Sequence, residues 1–170
     1  MATSTLLQYL ESTQQSVFGA TVAVGPDVSN RSQTEVFIAR ETLLVGDLVA
    51  FDYAAVAAGD VTLGIFKADG NSTPLRTPFG VVVASAENSG LLTAGSAVKV
   101  CISGVANVLT AANPGPGDVA VGTLLQVTNN AGEAGAASAA SAQPICAILA
   151  QVQPAGASAQ LRRCVVIKQF

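Results

Sequence analysis

The 170-residue chain has no histidine, no tryptophan and only two tyrosines. Without histidine, neither the Ser-His and Cys-His pairs that activate nucleophiles nor a histidine-ligated metal site can be assembled. Without tryptophan, the aromatic platforms that commonly hold sugar rings are hard to build. Charge is scarce too: Asp, Glu, Lys and Arg make up 11% of the residues, with a formal net charge of -3, against about 25% charged residues in an ordinary soluble domain. No basic run exists to neutralise a row of phosphates, so nucleic acid is not an expected partner. No apolar run approaches the ~20 residues that span a bilayer, and residues 1–20 lack a basic start and are interrupted by Gln8, Glu11, Gln14 and Gln15. Neither a membrane partner nor secretion is therefore expected. The three cysteines, Cys101, Cys146 and Cys164, each lie in an apolar run (KVCIS, PICAIL, RRCVVI). That setting predicts free thiols buried as small hydrophobes, in a chain made in a reducing cytosol.

What is abundant is apolar: half of the residues are hydrophobic. A chain of this length can bury roughly 70% of the surface its unfolded form exposes. With so little charge to keep the remainder soluble, part of that surface is expected to be covered by neighbours, which predicts a homo-oligomer.

Glycine and proline punctuate the chain often, and the apolar runs between them are short and rich in β-branched residues, a strand signature. Candidate strands cover 35–39, 48–53, 61–66, 80–84, 97–102, 124–128, 145–151 and 164–168. Strands this short, with turn signals between them, predict an all-β fold, a small antiparallel β-sandwich or barrel, rather than βαβ units. Helix is conceivable in two places. Residues 5–15 carry Leu6, Leu7 and Leu10 at helical spacing, and the alanine-rich 131–143 is either a short helix or a loop. The domain reading is an N-terminal arm or extension over 1–34 and a β-rich domain over 35–170.

Internal echoes organise the chain further. Residues 79–90 (FGVVVASAENSG) match 145–156 (ICAILAQVQPAG), and each is followed by a β-branched run, VKVCI from Val98 and CVVIK from Cys164. A second echo joins 43–52 (LLVGDLVAFD), 91–100 (LLTAGSAVKV) and 119–128 (VAVGTLLQVT). In the second echo a glycine turns the chain into a strand, because glycine reaches positive φ at no steric cost. The pattern predicts variations on one β-turn-β unit, forming local hairpins.

Residues that could carry chemistry are few. Asp47, Asp52 and Asp60 are close in sequence but sit at strand edges or turns, where aspartate commonly bonds local backbone. Asp69 and Asn71 in ADGNS lack the later acidic ligands of a calcium loop and predict an ordinary turn. GPGD at 115–118 has no following Lys-Ser/Thr and is no phosphate loop. No catalytic residue, metal ligand or cofactor site is expected. Phe18, Phe37, Phe51, Tyr53, Phe66 and Phe79 are the candidate aromatic core. Arg162 and Arg163, if extended, point to opposite faces, leaving at least one exposed for an ion pair. The candidate interface lies in the N-terminal arm, where Leu6, Leu7, Tyr9, Leu10, Val17 and Phe18 accompany the single charge of Glu11. Covered by a partner, such side chains would contribute roughly 25 cal/mol per Å² before ordering costs.

From Phe79 onward the chain resembles the small cement or decoration proteins of tailed-phage capsids. The resemblance rests on the order of pieces: a GVVVA strand (80–84), an Ala-containing loop ending in glycine (85–90), VKVCI followed by Ser103-Gly104-Val105, a GxxL strand (122–127), a second apolar strand (145–150) and a terminal VVI (165–167). Cys146 stands where the family pattern favours glycine, and the first ~40 residues have no obvious counterpart. The resemblance implies a non-enzymatic structural subunit on the exterior of a virion, made in the host cytoplasm. It implies the major capsid protein as partner, and a homo-oligomer for which a trimer is favoured. A receptor- or carbohydrate-binding β-module of a phage fibre or adhesin is the alternative, and a small carboxylate enzyme a third reading.

Overall fold

The computed structural model describes residues 32–52, 64–71, 77–86, 92–138 and 143–167. Among these the regular structure is all β, in nine strands: β1 (Gln33–Ala39), β2 (Leu48–Phe51), β3 (Gly64–Lys67), β4 (Gly80–Ser85), β5 (Ala97–Thr110), β6 (Leu124–Val127), β7 (Ala134–Ala136), β8 (Ile145–Leu149) and β9 (Gln160–Val166). The strands run in the order β1-β3-β2-β4-β5-β7-β6-β8-β9, and further pairings of β1 with β5 and of β5 with β9 close that sheet on itself twice. The result is two five-stranded barrels in tandem, which leaves fewer unpaired strand edges than an open sheet of the same size.

The barrels share β5. Its first half pairs with β1 up to Ser103, opposite Gln33, and its second half pairs with β9 from Gly104, opposite Val166. At the changeover Gly104 takes a φ of 110°, so the strand swings from one barrel to the other without ending. Ser32 holds the turn, its hydroxyl accepting from Val105 N–H (3.1 Å) and donating to Val105 C=O (3.2 Å).

Strand for strand, the second barrel repeats the first. The first uses β1, β2, β3, β4 and the front of β5; the second uses the back of β5, β6, β7, β8 and β9, in the same order and with the same partners. The registers agree as well. Leu48 pairs with Val81 as Leu124 pairs with Ile148. Phe51 faces Ile65 as Val127 faces Ala134, and the one parallel pair of each barrel sets Ala39 beside Ile65 and Thr110 beside Ala134. Val81 faces Cys101 as Ile148 faces Val165, and Phe37 faces Val98 as Val108 faces Arg162.

Two cores result. Phe37, Phe51 and Phe79 fill the first barrel with Val49, Ile65, Val82, Val98, Val100 and Ile102. Phe51 stacks on Phe79 at 3.9 Å between ring centroids, and Phe37 meets both edge-on at 5.6 and 5.1 Å. The second barrel is filled with smaller groups, among them Ala106, Val108, Leu125, Val127, Ala134, Cys146, Leu149 and Cys164. Phe66 is half-buried, while Phe18 and Tyr53 lie outside the described residues.

Several expectations need correction. Of the sandwich and the barrel expected, the closures bear out the barrel; what changes is that the pairing is not purely antiparallel, because each barrel contains one parallel pair, β1–β3 and β5–β7. β5 runs on to Thr110 instead of stopping at Ile102, because Gly104 redirects it rather than ending it. β9 begins at Gln160, since Arg162 faces inward and the polar start belongs to the strand. Within the alanine-rich 131–143, the described residues 131–138 hold strand β7 rather than helix. Gly132, at a φ of 85°, closes a turn in which Thr128 N–H donates to Glu133 C=O (3.0 Å), and Ala134 is then drawn into the core. The unit of repetition is five strands, not one β-turn-β. Residues 43–52 and 119–128 are true counterparts, whereas 91–100 shares only the turn chemistry and leads into β5. The helical reading of 5–15 lies outside the described residues.

Candidate interaction surface

Alternation along a strand sends neighbouring side chains to opposite faces. In the first barrel Val49, Phe51, Val82, Val98 and Val100 point inward, which turns Leu48, Ala50, Val81 and Cys101 to the outside of the wall formed by β2, β4 and β5. These outward residues are nevertheless buried, with Leu48 at 1%, Val81 at 0% and Cys101 at 1% exposure. They belong to the same apolar cluster as the interior of the second barrel.

Backbone hydrogen bonds fix that junction. Leu48 N–H donates to Gly132 C=O, Gly132 N–H to Ala68 C=O, and Leu109 N–H to Gly46 C=O, each at 2.8 Å. Gly70 N–H donates to Thr128 C=O at 2.9 Å. Gly46, at a φ of 95°, lies so close to the Leu161 side chain and Leu109 N that no Cβ fits there. Beside it, Asp47 is buried, accepts from Leu44 N–H (2.8 Å) and pairs with Lys67 Nζ at 3.1 Å.

Among the described residues the matching wall of the second barrel is less covered: Leu124 and Val165 are exposed, and Ile148 and Val105 are half-buried. Leu124, Ile148, Val165 and Val105 lie in one cross-strand row over β6, β8, β9 and β5. By register this row is the counterpart of Leu48, Val81, Cys101 and Thr34. Leu124 is 46% and Val165 38% exposed, and Val121, in the turn before β6, is exposed as well. Gly122, the counterpart of Gly46 with a φ of 90°, has no described residue within 4 Å of where a Cβ would sit. The row is uncharged, so burying it would carry little desolvation cost.

The residues singled out for chemistry resolve into structural roles or fall outside the description. Asp69 Oδ1 accepts from Asn71 N–H (2.8 Å), the ordinary turn expected. Asp52 is half-buried at the end of β2, its N–H bonded to Gly64 C=O (3.0 Å), and Asp60 lies outside the described residues. No cluster of metal-ligating side chains occurs among the described residues. All three cysteines are free and buried. Burial pushes the Cys146 thiol up to about 12 and the Cys164 thiol up to about 11. Cys101 is raised for the same reason, although its hydrogen bond to Ser103 C=O opposes the shift. Arg162 and Arg163 do take opposite faces. Arg163 is exposed, and Arg162 is 4% exposed inside the second barrel, where Nη1 donates to Val152 C=O (3.1 Å) while Nε and Nη2 have no hydrogen-bond partner among the described residues.

Leu6, Leu7, Tyr9, Leu10, Val17 and Phe18, the candidate interface, lie outside the described residues. The row at Leu124, Ile148 and Val165 was missed because its members read simply as strand residues. The signal was present in the echo: 119–128 repeats 43–52, so Leu124 inherits the outward position of Leu48.

No protein-family model matches the chain, and no curated protein does. Among solved structures the chain is similar to the head fibre gp8.5 N base in bacteriophage phi29, at 17% identity and a TM-score of 0.49, over 82% of this chain and 98% of that one. It is similar to the same degree to a chain in the capsid of Myoviridae phage XM1, at 17% identity and a TM-score of 0.49, over 82% of this chain and 84% of that one.

Proposed function

We propose that this chain is a non-enzymatic structural subunit of a tailed-phage virion that binds the outer capsid surface as a cement or decoration protein and stabilises the shell. The observation that carries the reading is the order of pieces from Gly80 to Ile167, because it falls on consecutive parts of one continuous sheet. The GVVVA piece is β4, VKVCI with its Ser-Gly-Val is the two halves of β5 around the changeover, the GxxL piece is the turn into β6, and the last two pieces are β8 and the end of β9. The low charge and the uncovered apolar wall fit a protein that works packed against neighbours.

The major capsid protein is the partner in this reading, with the N-terminal arm around Leu6, Leu7, Tyr9, Leu10, Val17 and Phe18 as the attachment element. The test is to grow particles from a genome with and without this coding sequence. The chain is expected in purified particles at a fixed copy number, as density outside the shell, and particles lacking it should open at lower temperature. Deleting residues 2–20 should abolish decoration while leaving the thermal midpoint of the free protein nearly unchanged. Absence of the chain from purified particles, together with glycan affinity of the free protein, would replace this reading by the receptor-binding one.

A further inference from the structure

We infer that the uncovered wall of the second barrel, the row of Leu124, Ile148 and Val165, is docked by the first barrel of a second copy of this chain, in a head-to-tail contact that repeats the junction within the chain. The inference rests on the repeat and stands apart from the virion reading.

The argument is one of register. Leu48, Val81 and Cys101 occupy the same strand positions in the first barrel as Leu124, Ile148 and Val165 in the second. Within the chain, what lies on the first row is a five-stranded barrel, and it covers that row almost completely. The second row keeps the apolar character of a covered wall, Leu-Ile-Val beside Leu-Val-Cys, yet among the described residues Leu124 and Val165 are left exposed and Ile148 is only half-buried. Gly122 adds an independent sign. Gly46 must be glycine for two reasons, a positive φ and the approach of Leu161 and Leu109 from the next barrel. Gly122 repeats the turn, its N–H bonded to Leu149 C=O (2.8 Å) as Gly46 N–H is bonded to Val82 C=O (2.8 Å), but no described residue approaches its outer side within 4 Å.

A barrel of the same topology is therefore the shape this wall accepts, and in a second copy the first barrel is the unit that would continue the series. Such a contact joins two different surfaces, so copies must close into a ring or run on as a filament. A discrete closed oligomer is the expected product.

Sedimentation velocity of the full chain over a wide concentration range tests this. The native protein should sediment as a discrete oligomer. Val165→Lys or Ile148→Lys should weaken self-association by roughly a hundredfold or more, because a lysine there would be buried without a partner. Val152→Lys alters an exposed apolar side chain in the turn after β8, off the row, and should leave assembly unchanged. Hydroxyl-radical footprinting of the native protein covers the case in which a variant fails to fold: Leu124, Ile148 and Val165 should be protected in the oligomer and become reactive on dilution. A monomeric native protein would overturn the inference, whether the row is then reactive or is protected by the chain's own N-terminal segment. So would an oligomer that Val165→Lys and Ile148→Lys leave intact, or one in which the row stays reactive.

Discussion

The two barrels follow one plan of pairing and differ in what fills and covers them. The first is packed around three phenylalanines and its outer wall is buried; the second is packed with smaller groups, encloses a guanidinium, and among the described residues leaves Leu124 and Val165 of its wall exposed. Register and filling are thus separable. The repeated turns and hairpins set which strands pair, while the volume inside each barrel is shared out by local substitutions such as Phe37 against Val108, Ile65 against Ala134, and Val98 against Arg162.

That contrast predicts unequal sensitivity at matched positions. The largest effect is expected at Phe37→Ala, which removes one member of the three-ring cluster and should cost about 3–5 kcal/mol. Val108→Ala, its counterpart, should cost roughly 2 kcal/mol. Urea denaturation of both variants measures the difference, and equal losses would break the comparison. Next come the paired glycines. Gly46→Ala should cost about 3 kcal/mol, from positive φ together with collision against Leu161, whereas Gly122→Ala should cost about 1 kcal/mol from φ alone.

Arg162 supplies a gain instead of a loss. A buried guanidinium with two unpartnered nitrogens is a net cost to folding, so Arg162→Met should raise stability by about 1–2 kcal/mol, read as a higher urea midpoint. The smallest effect at neutral pH belongs to the thiols. Their folded values, about 12 for Cys146 and about 11 for Cys164, lie above the ordinary 9.0. The folded state therefore holds these protons more tightly than the unfolded state does. Their contribution is fully present below pH 9 and is lost as pH rises through the folded values. Stability should be flat in this respect near neutrality and fall between about pH 9 and pH 12, less steeply in Cys146→Ala. Both thiols should alkylate slowly at neutral pH.

Much of the fold was legible in the sequence. The strands were found because β-branched runs bounded by glycine have few other stable outcomes, and the echo of 79–90 in 145–156 pointed to repetition. What escaped reading was closure. Whether a strand ends or continues past a glycine depends on partners distant in sequence, so β5 was cut at Ile102. β7 was hidden because Ala134, Gly135 and Ala136 carry no β-branched side chain, and their place in the sheet is set by the Gly132 turn and by β6. The wall at Leu124, Ile148 and Val165 could not be told from core by periodicity, because Leu48 and Val81 on the equivalent wall are buried. The difference between the two rows comes from what stands next to each, which no local pattern encodes.

The most direct test of this account compares Leu48→Asp with Leu124→Asp, the same substitution at matched positions, by urea unfolding under conditions dilute enough for the protein to be unassembled. Leu48→Asp buries an unpaired carboxylate at the junction of the barrels and should cost on the order of 3–5 kcal/mol or prevent folding. Leu124→Asp places the carboxylate on an open wall and should change stability by no more than about 0.5 kcal/mol. Similar losses in the two variants would contradict the account, because they would mean that the two walls are not covered and bare in the way the tandem arrangement requires.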